Sequence, residues 1–198
     1  MTPAALADRI VNDYINSYSS SLGITQSAAQ LNLVDELVTA IDSLAQAMTS
    51  ATDDWTAISN ARSQAQEYYY DYYIDLYHFA QLVNQDTSIS QAVRDAASSV
   101  MTAVNNAVIA EGHTVSLANS HGLSIYYPET VANYFSDYET FVVFTTDTQW
   151  DDFLSVILSP AEGVTVTQSG SNFYMDNGII RIGFYGSDGI EWFGGSPG

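Results

Sequence analysis

The first 112 residues carry apolar side chains at the spacing of amphipathic helices. In several stretches apolar residues recur three and four positions apart, which places them on one face of a helix. The predicted core positions of the first two helices are Leu6, Ile10, Val11, Tyr14, Ile15 and Tyr18, then Leu31, Leu33, Val34, Leu37, Val38, Ile41, Leu44, Ala45 and Met48. Gly23 ends the first helix, and a turn at Thr25–Ser27 precedes the second.

Three more helices follow from the same pattern. Their predicted core positions are Trp55, Ile58, Ala61 and Ala65, then Ile74, Leu76, Tyr77, Phe79, Leu82 and Val83, and then Val93, Ala96, Val100, Val104, Val108 and Ile109. Thr52–Asp54 is predicted to cap the third helix, which continues over Glu67–Tyr73. Gly112 is predicted to close the last helix. Residues 1–112 are therefore predicted to form a helical block.

The pattern changes to alternation after residue 112. Val115 and Leu117 alternate with polar residues, a turn follows, and Leu123–Tyr127 alternates again before Pro128, which predicts a hairpin. Thr148 is predicted to cap a helix over Trp150–Leu158. Residues 113–160 are expected to complete the same domain as the helical block.

The last residues read as strands. The segments are Val164–Val166, Asn172–Met175 and Ile179–Tyr185, with a turn at Asp176–Gly178. This β-meander over residues 161–198 is expected either to add strands to the first domain or to begin another. The predicted fold class is α/β, in the form of an α+β fragment: helices, a small sheet with one packed helix, and a C-terminal meander.

The charge of the chain excludes several kinds of partner. It has 23 acidic residues against four arginines and no lysine, a net charge of −19. No basic stripe could neutralise phosphate, so neither nucleic acid nor an anionic membrane is expected as a partner. The acids are dispersed along the chain, which favours solubility in salty or extracellular surroundings, and an extracellular or cell-surface location is expected although no leader pattern is visible. The charge does not exclude Ca²⁺ or a cationic ligand as a partner.

The candidate catalytic groups are sparse. The chain has no cysteine, so a cysteine nucleophile and thiolate metal sites are excluded within it. His113 and His121 lie near Ser116, Ser120 and Ser124, but no G-x-S-x-G sequence is present, and turn histidines are the favoured interpretation. His78 lies among core aromatic residues. We expect no catalytic residue, no cofactor-binding residue and no metal ligand.

Two further groups have structural explanations. The pairs Asp53–Asp54 and Asp151–Asp152 each begin an apolar helix, where the helix dipole favours negative charge without a metal ion. The tyrosines of Tyr68–Tyr77 could form a stacking platform for sugar or peptide. Helical spacing instead places four residues on one stripe, which predicts core packing: Tyr69, Tyr73, Leu76 and Tyr77.

Five segments in order resemble the C-terminal part of the clostripain-like cysteine peptidases, which belong to the caspase-like fold group. These segments are LADRIVNDYINSY at Leu6–Tyr18, TQSAAQLNLVDEL at Thr25–Leu37, YIDLYHFA at Tyr73–Ala80, GLSIYYP at Gly122–Pro128, and WDDFL at Trp150–Leu154. The resemblance covers roughly residues 4–158. It implies a protease scaffold, a cysteine endopeptidase as the parent protein, and a central sheet that the GLSIYYP strand would join.

The family's catalytic residues have no counterpart here. The histidine of the family lies in an Asp-His-Gly context and its cysteine in an Asp-x-Cys context, whereas His121 follows Ser120. The resemblance therefore implies a non-catalytic C-terminal subdomain that supports the catalytic sheet, with the region that carries that histidine and cysteine as its partner. The alternative is a freestanding extracellular acidic module that binds peptide, glycan or Ca²⁺. The GLSIYYP strand is expected to pair with the hairpins of Val164–Tyr185, or the chain to form a homodimer.

Overall fold

The computed structural model describes residues 1–18 and 23–159 and, in the tail, three strands at 165–169, 172–176 and 181–184. The chain divides into two compact units, Met1–Val156 and Ile157–Gly198. Helices and small antiparallel sheets make up the described residues, which confirms the predicted α+β class.

The elements of the first unit are helices with four short strands between them, two before and two after the helix at Gln91–Ala107. In chain order they are α1 (Pro3–Asn16), β1 (Thr25–Ala29), α2 (Val34–Ser50), α3 (Trp55–Gln64), β2 (Tyr73–Asp75), α4 (Leu76–Gln85), α5 (Gln91–Ala107), β3 (Val108–His113), β4 (Ser124–Tyr126), α6 (Asp137–Phe141), α7 (Phe144–Asp147) and α8 (Trp150–Ile157). The tail contributes β5 (Thr165–Ser169), β6 (Asn172–Asp176) and β7 (Arg181–Phe184). No helix of the described residues is both long and apolar enough to cross a bilayer.

The core of the first unit lies around α5, which packs against both α2 and α4. Many predicted core positions of these three helices are buried, among them Leu44 and Met48, Phe79 and Val83, and Val93, Val100 and Val104. Leu31, another predicted core position, precedes α2 and is 85% exposed, so that prediction is wrong. Each of these helices carries its apolar residues in one stripe, so packing the three stripes together removes them from water.

The first sheet pairs β1 with β3 and corrects two predictions. Ala28 lies opposite Ala110, so residues 25–29 form a strand and not a turn. Residues 108–113 leave the helix and form β3, because the β-branched Val108 and Ile109 suit an extended strand that has a partner. Gly112 therefore does not cap a helix. It allows α1 to approach, since a Cβ there would lie 2.8 Å from a side-chain carbon of Ile15.

The second sheet pairs β2 with β4 and corrects two more predictions. Ile74 lies opposite Ile125, whereas Val115–Leu117 forms a 3₁₀ turn and not a hairpin strand. Helix α3 ends at Gln64, and Glu67 bridges to Ile74, so residues 67–73 are not helical. The GLSIYYP strand thus has a partner in β2, which sequence spacing alone could not identify.

Helix α1 is less buried than its pattern predicts. Val11 is buried and Ile15 half-buried beneath the β1–β3 sheet, but four of the predicted core residues are 36–54% exposed: Leu6, Ile10, Tyr14 and Tyr18. The helix is confirmed, and the prediction that its whole apolar face is core is wrong for this unit.

The tail strands form one antiparallel sheet in the order β5–β6–β7. Val166 lies opposite Met175, and Met175 lies opposite Ile182. The predicted meander is confirmed at these strands, and the predicted turn after Asp176 lies outside the described residues.

Candidate functional site

The β2–β4 pair brings a buried carboxylate to the centre of a polar cluster. Asp75 is the last residue of β2, is fully buried, and caps α4 by accepting a hydrogen bond from the backbone N–H of His78 at 2.8 Å. Its other oxygen accepts from the Tyr68 hydroxyl at 2.9 Å and from the backbone N–H of His121 at 2.7 Å. The carboxylate therefore joins the loop before β2 and the start of α4 to His121, which is 46 residues away in sequence.

The imidazole of His121 completes the set of contacts to Asp75. Its Nδ1 lies 3.2 Å from Oδ1 of Asp75 and 2.9 Å from the backbone oxygen of Asn119. Both neighbours are acceptors, so Nδ1 carries the proton and Nε2 is the acceptor when the ring is neutral. The ring stacks on Tyr77 with centroids 4.2 Å apart, and its side chain is 33% exposed.

The Tyr68 hydroxyl joins Ser120 to the cluster. Its oxygen lies 2.9 Å from Oγ of Ser120. Because the Tyr68 proton goes to Asp75, the Ser120 hydroxyl donates to the phenol oxygen. Burial, and then the nearby charge of Asp75, raise the pKa of Tyr68 well above its usual value. The phenol therefore stays protonated and acts as a fixed donor.

His78 ties α4 to the segment that follows α3. Its Nδ1 accepts a hydrogen bond from the backbone N–H of Gln66 at 2.9 Å, which requires that nitrogen to be unprotonated. Burial lowers the pKa of His78, against a smaller opposing effect of Asp75. The neutral ring is the form that this contact uses.

A serine–histidine pair does not form among the described residues. Ser120 is bound to Tyr68, Ser124 is exposed on β4, and Ser116 lies 3.4 Å from the hydroxyl of Thr114. His113 contacts Glu111 at 2.9 Å instead of a hydroxyl group. The arrangement lacks the nucleophile–base hydrogen bond that a serine hydrolase needs.

The acidic pairs differ from one another in environment. Asp54 is buried and accepts a hydrogen bond from the backbone N–H of Ser90, so it links the start of α3 to the start of α5. Asp151 has one buried oxygen without a hydrogen-bond partner among the described residues, and burial together with Asp152 raises the pKa of its carboxyl group. Within the described residues, no three histidine or acidic side chains converge as metal ligands would.

Sequence reasoning missed one buried cation. Arg62 is 2% exposed and donates to the backbone oxygens of Tyr127 and Asp71 and to the carboxylate of Glu67, the last at 2.8 Å. Its position on the buried side of α3, in a chain with only four arginines, is the signal that could have found it. Arg62 holds β4 and the tyrosine-rich loop to α3.

The tyrosines do not form the predicted helical stripe. Tyr69 is 92% exposed in a loop, and Tyr73 lies on β2. Tyr70 and Tyr72 stack at 5.2 Å, and Tyr72 also meets Tyr126 edge-on at 5.8 Å. The tyrosines pack partly on one another around the end of β2.

The chain was compared with known families, curated proteins and solved structures. No curated protein and no solved structure matches it closely enough to count as a relative. The family model described as the clostripain family matches residues 2–157, which is well over half of the chain and includes β2, β4 and the whole Asp75 cluster. The chain therefore belongs to the clostripain family.

Proposed function

We propose that this chain is a non-catalytic subdomain of a clostripain-like cysteine peptidase, which supports the catalytic sheet and shapes substrate access. Its partner is a polypeptide segment, in the same chain or another, that carries the catalytic histidine and cysteine. The single observation that carries the proposal is the use of Asp75: both of its oxygens bind groups of the fold itself.

The Asp75 contacts favour support over chemistry. A carboxylate that acts on substrate keeps an oxygen, or an oriented base, in reach of the reacting group. Here the four contacts of Asp75 go to Tyr68, to the backbone N–H groups of His78 and His121, and to the His121 imidazole. The cluster fixes β2 against β4 and the start of α4, which is a positioning role.

The composition supports the same conclusion. The chain has no cysteine, so the nucleophile of a cysteine peptidase must come from elsewhere. Helix α1 leaves Leu6, Ile10 and Tyr14 exposed on one side. An exposed apolar patch of this kind is typical of a surface that contacts another polypeptide segment. Contact with a catalytic segment would cover that side.

The test is reconstitution of activity. The genomic region around the coding sequence is read for a segment with the Asp-His-Gly and Asp-x-Cys contexts, and that segment is expressed with and without this chain. We expect a fluorogenic peptide to be hydrolysed only when both parts are present, and the chain alone to resist labelling by a fluorophosphonate probe. Hydrolysis by the chain alone, or full activity without it, overturns the proposal.

A second candidate is a freestanding extracellular acidic module. It is favoured by an apolar cleft of about 310 Å³ beside β4 and by the net charge of −19. Calcium provides the discriminating measurement. A rise in melting temperature at millimolar Ca²⁺ would indicate binding to the native state and favour this module over the subdomain.

A further inference from the structure

We infer that the tip of the tyrosine-rich loop, residues 68–73, is a binding site for a neutral glycan whose sugar ring stacks on Tyr69 and Tyr70. The inference goes beyond the proposed function, because it concerns an outer surface that neither helix α1 nor the contacts of Asp75 use. It depends on three observations: the exposure of the aromatic rings, the backbone bonds that fix the loop, and the carboxylates at its base.

The first observation is the exposure of two adjacent rings. Tyr69 is 92% exposed and Tyr70 is 53% exposed. Tyrosine is intermediate in burial in most folded proteins, so a ring that lies almost wholly in water is unusual. The two rings contact each other edge-on, with centroids 4.8 Å apart and planes at 81°. They therefore present two apolar surfaces nearly at a right angle.

Two more aromatic residues extend this surface. Tyr72 stacks nearly parallel to Tyr70 at 5.2 Å, and Phe135 packs edge-on against Tyr72, also at 5.2 Å. Phe135 is itself 53% exposed. The rings thus form one contiguous patch, and contiguous exposed apolar patches mark binding surfaces more often than scattered single residues do. Core packing, which the helical stripe predicted for Tyr69, does not account for this patch.

The second observation is a set of backbone bonds that fixes the loop. The Tyr68 N–H donates to the Tyr73 oxygen at 3.0 Å, and the Tyr73 N–H donates to the Tyr70 oxygen at 3.0 Å. The buried guanidinium of Arg62 donates to the backbone oxygen of Asp71. A loop that is already held in one conformation loses little freedom when a ligand binds, so more of the contact energy appears as affinity.

The third observation is a pair of carboxylates that the same guanidinium places at the base of the loop. Nη1 of Arg62 lies 2.8 Å from Oε1 of Glu67 and 3.5 Å from Oε1 of Glu129, and these two side chains are 41% and 50% exposed. Each carboxylate directs one oxygen to Arg62, and its second oxygen can accept a hydrogen bond from a ligand hydroxyl group. The loop therefore combines open aromatic rings with fixed acceptors.

A neutral sugar matches this combination. The C–H face of a pyranose ring is apolar and flat enough to lie on a tyrosine ring, and its hydroxyl groups donate to carboxylates and phenol oxygens. The net charge of −19 disfavours an anionic glycan. Arg62 compensates part of the charge of Glu67 and Glu129, which favours a ligand that donates hydrogen bonds over one that carries a full positive charge.

The test measures binding of two neutral oligosaccharides, cellohexaose and N-acetylchitohexaose, to the full chain by calorimetry. In both, all ring substituents are equatorial, so each face of the sugar ring carries only C–H groups. We expect at least one of them to bind with a dissociation constant below about 1 mM. If neither oligosaccharide binds at that concentration, the inference is overturned.

The protein variants locate the contact on the loop. Tyr69→Ala is expected to reduce affinity about tenfold, whereas Tyr69→Phe keeps the ring and most of the affinity. Tyr18→Ala is the matched control, because Tyr18 is 44% exposed but lies just beyond α1. Tyr69 is almost wholly in water, so its replacement leaves the fold intact, and melting temperatures check this. Equal affinity of Tyr69→Ala and Tyr18→Ala overturns the inference.

Salt dependence separates a glycan from a cationic peptide. A neutral sugar keeps its affinity as the salt concentration rises, whereas a peptide of about eight lysines loses affinity because its charge is screened. We expect the affinity for the oligosaccharide to change less than about twofold between low and high salt. Salt-sensitive binding of the lysine peptide that Tyr69→Ala abolishes, without binding of either oligosaccharide, would show that the loop takes a cation and would overturn the inference.

Discussion

Oδ2 of Asp75 accepts a hydrogen bond from the backbone N–H of His121 at 2.7 Å, across 46 residues of sequence. The contact joins the two segments that carry most of the family resemblance, Tyr73–Ala80 and Gly122–Pro128, since His121 directly precedes the second. A buried carboxylate bound in this way stabilises the fold only while each of its donors is in place.

Asp75→Asn is therefore expected to reduce the free energy of unfolding by about 2–4 kcal/mol. The amide keeps the size of the side chain but replaces one acceptor oxygen with a donor that faces other N–H or O–H groups. Urea unfolding followed by circular dichroism measures the change. Asp71→Asn is the control, because Asp71 is exposed and only its backbone oxygen is used. A loss below about 1 kcal/mol for Asp75→Asn would contradict the structural role.

The His78 ring predicts a loss of stability in mild acid. Burial lowers the folded-state pKa of His78 below the ordinary histidine value of about 6.5, so the unfolded chain binds the proton more readily than the folded chain does. The contribution of neutral His78 is fully present above pH 6.5 and declines as the pH falls below that value.

The measurement compares urea midpoints of the parent chain and His78→Gln at several pH values. We expect the parent to lose more stability than the variant as the pH falls below the ordinary histidine range. Parallel curves would show that His78 does not titrate with folding. Carboxylates that titrate in both proteins cancel in the comparison.

Asp151→Asn is expected to stabilise the fold slightly at neutral pH. The raised pKa of Asp151 means that its charged form is disfavoured in the native state, so removing the charge relieves a cost. The side chain is partly exposed, and solvent screening limits the gain to a few tenths of a kcal/mol. Below the carboxyl pKa the gain disappears, because the parent side chain is then neutral as well.

Asp53→Asn provides the matched control for this effect. Asp53 also lies at the start of a helix, but it is exposed. Neutralising it removes a favourable interaction with the helix dipole and should give no gain. Thermal unfolding at neutral and acidic pH measures both variants, and a loss of stability in Asp151→Asn would contradict the prediction.

Gly122→Ala is expected to destabilise the chain by about 1–3 kcal/mol. Gly122 has φ +95°, in a region that favours glycine, and an added Cβ would lie 2.9 Å from Cβ of Ser27 and 3.1 Å from a methyl carbon of Val108. The same contact region includes the hydrogen bond from the Ser27 hydroxyl to the Gly122 oxygen at 2.6 Å.

Gly23→Ala is the comparison for Gly122. Its added Cβ would meet no atom closer than 3.6 Å, which is an ordinary van der Waals distance. We therefore expect Gly23→Ala to lose little stability. Melting temperatures of the two alanine variants measure the difference. Equal stability of the two would mean that the backbone at Gly122 adapts without strain.

The sequence predicts those parts of the fold that depend on local pattern. The apolar stripes of α2, α4 and α5 identify three helices that pack together, because one buried face is visible in 3.6-residue spacing. Residues 108–113 are mistaken for helix because their apolar residues fit either period, and only the partner strand β1 decides between them.

The candidate site was not predictable in the same way. Asp75 lies inside a recognised segment, and its bond from the His78 N–H follows the ordinary spacing of a helix N-cap. Its donors from Tyr68 and His121 follow no spacing rule. The serine and histidine neighbours in sequence, Ser120 and His121, face different partners in the structure. In the fold each of these two residues holds other segments together.

The pairing of β1 with β3 has a consequence for the order of folding. Ala28 meets Ala110 only after a loop that contains α2, α3, α4 and α5 has closed. Closing a long loop costs entropy before its contacts form, whereas neighbouring helices such as α4 and α5 meet at little cost. We expect the helices to assemble first and this sheet to form late. A substitution in the sheet would then shorten the lifetime of the native state while leaving the rate of folding almost unchanged.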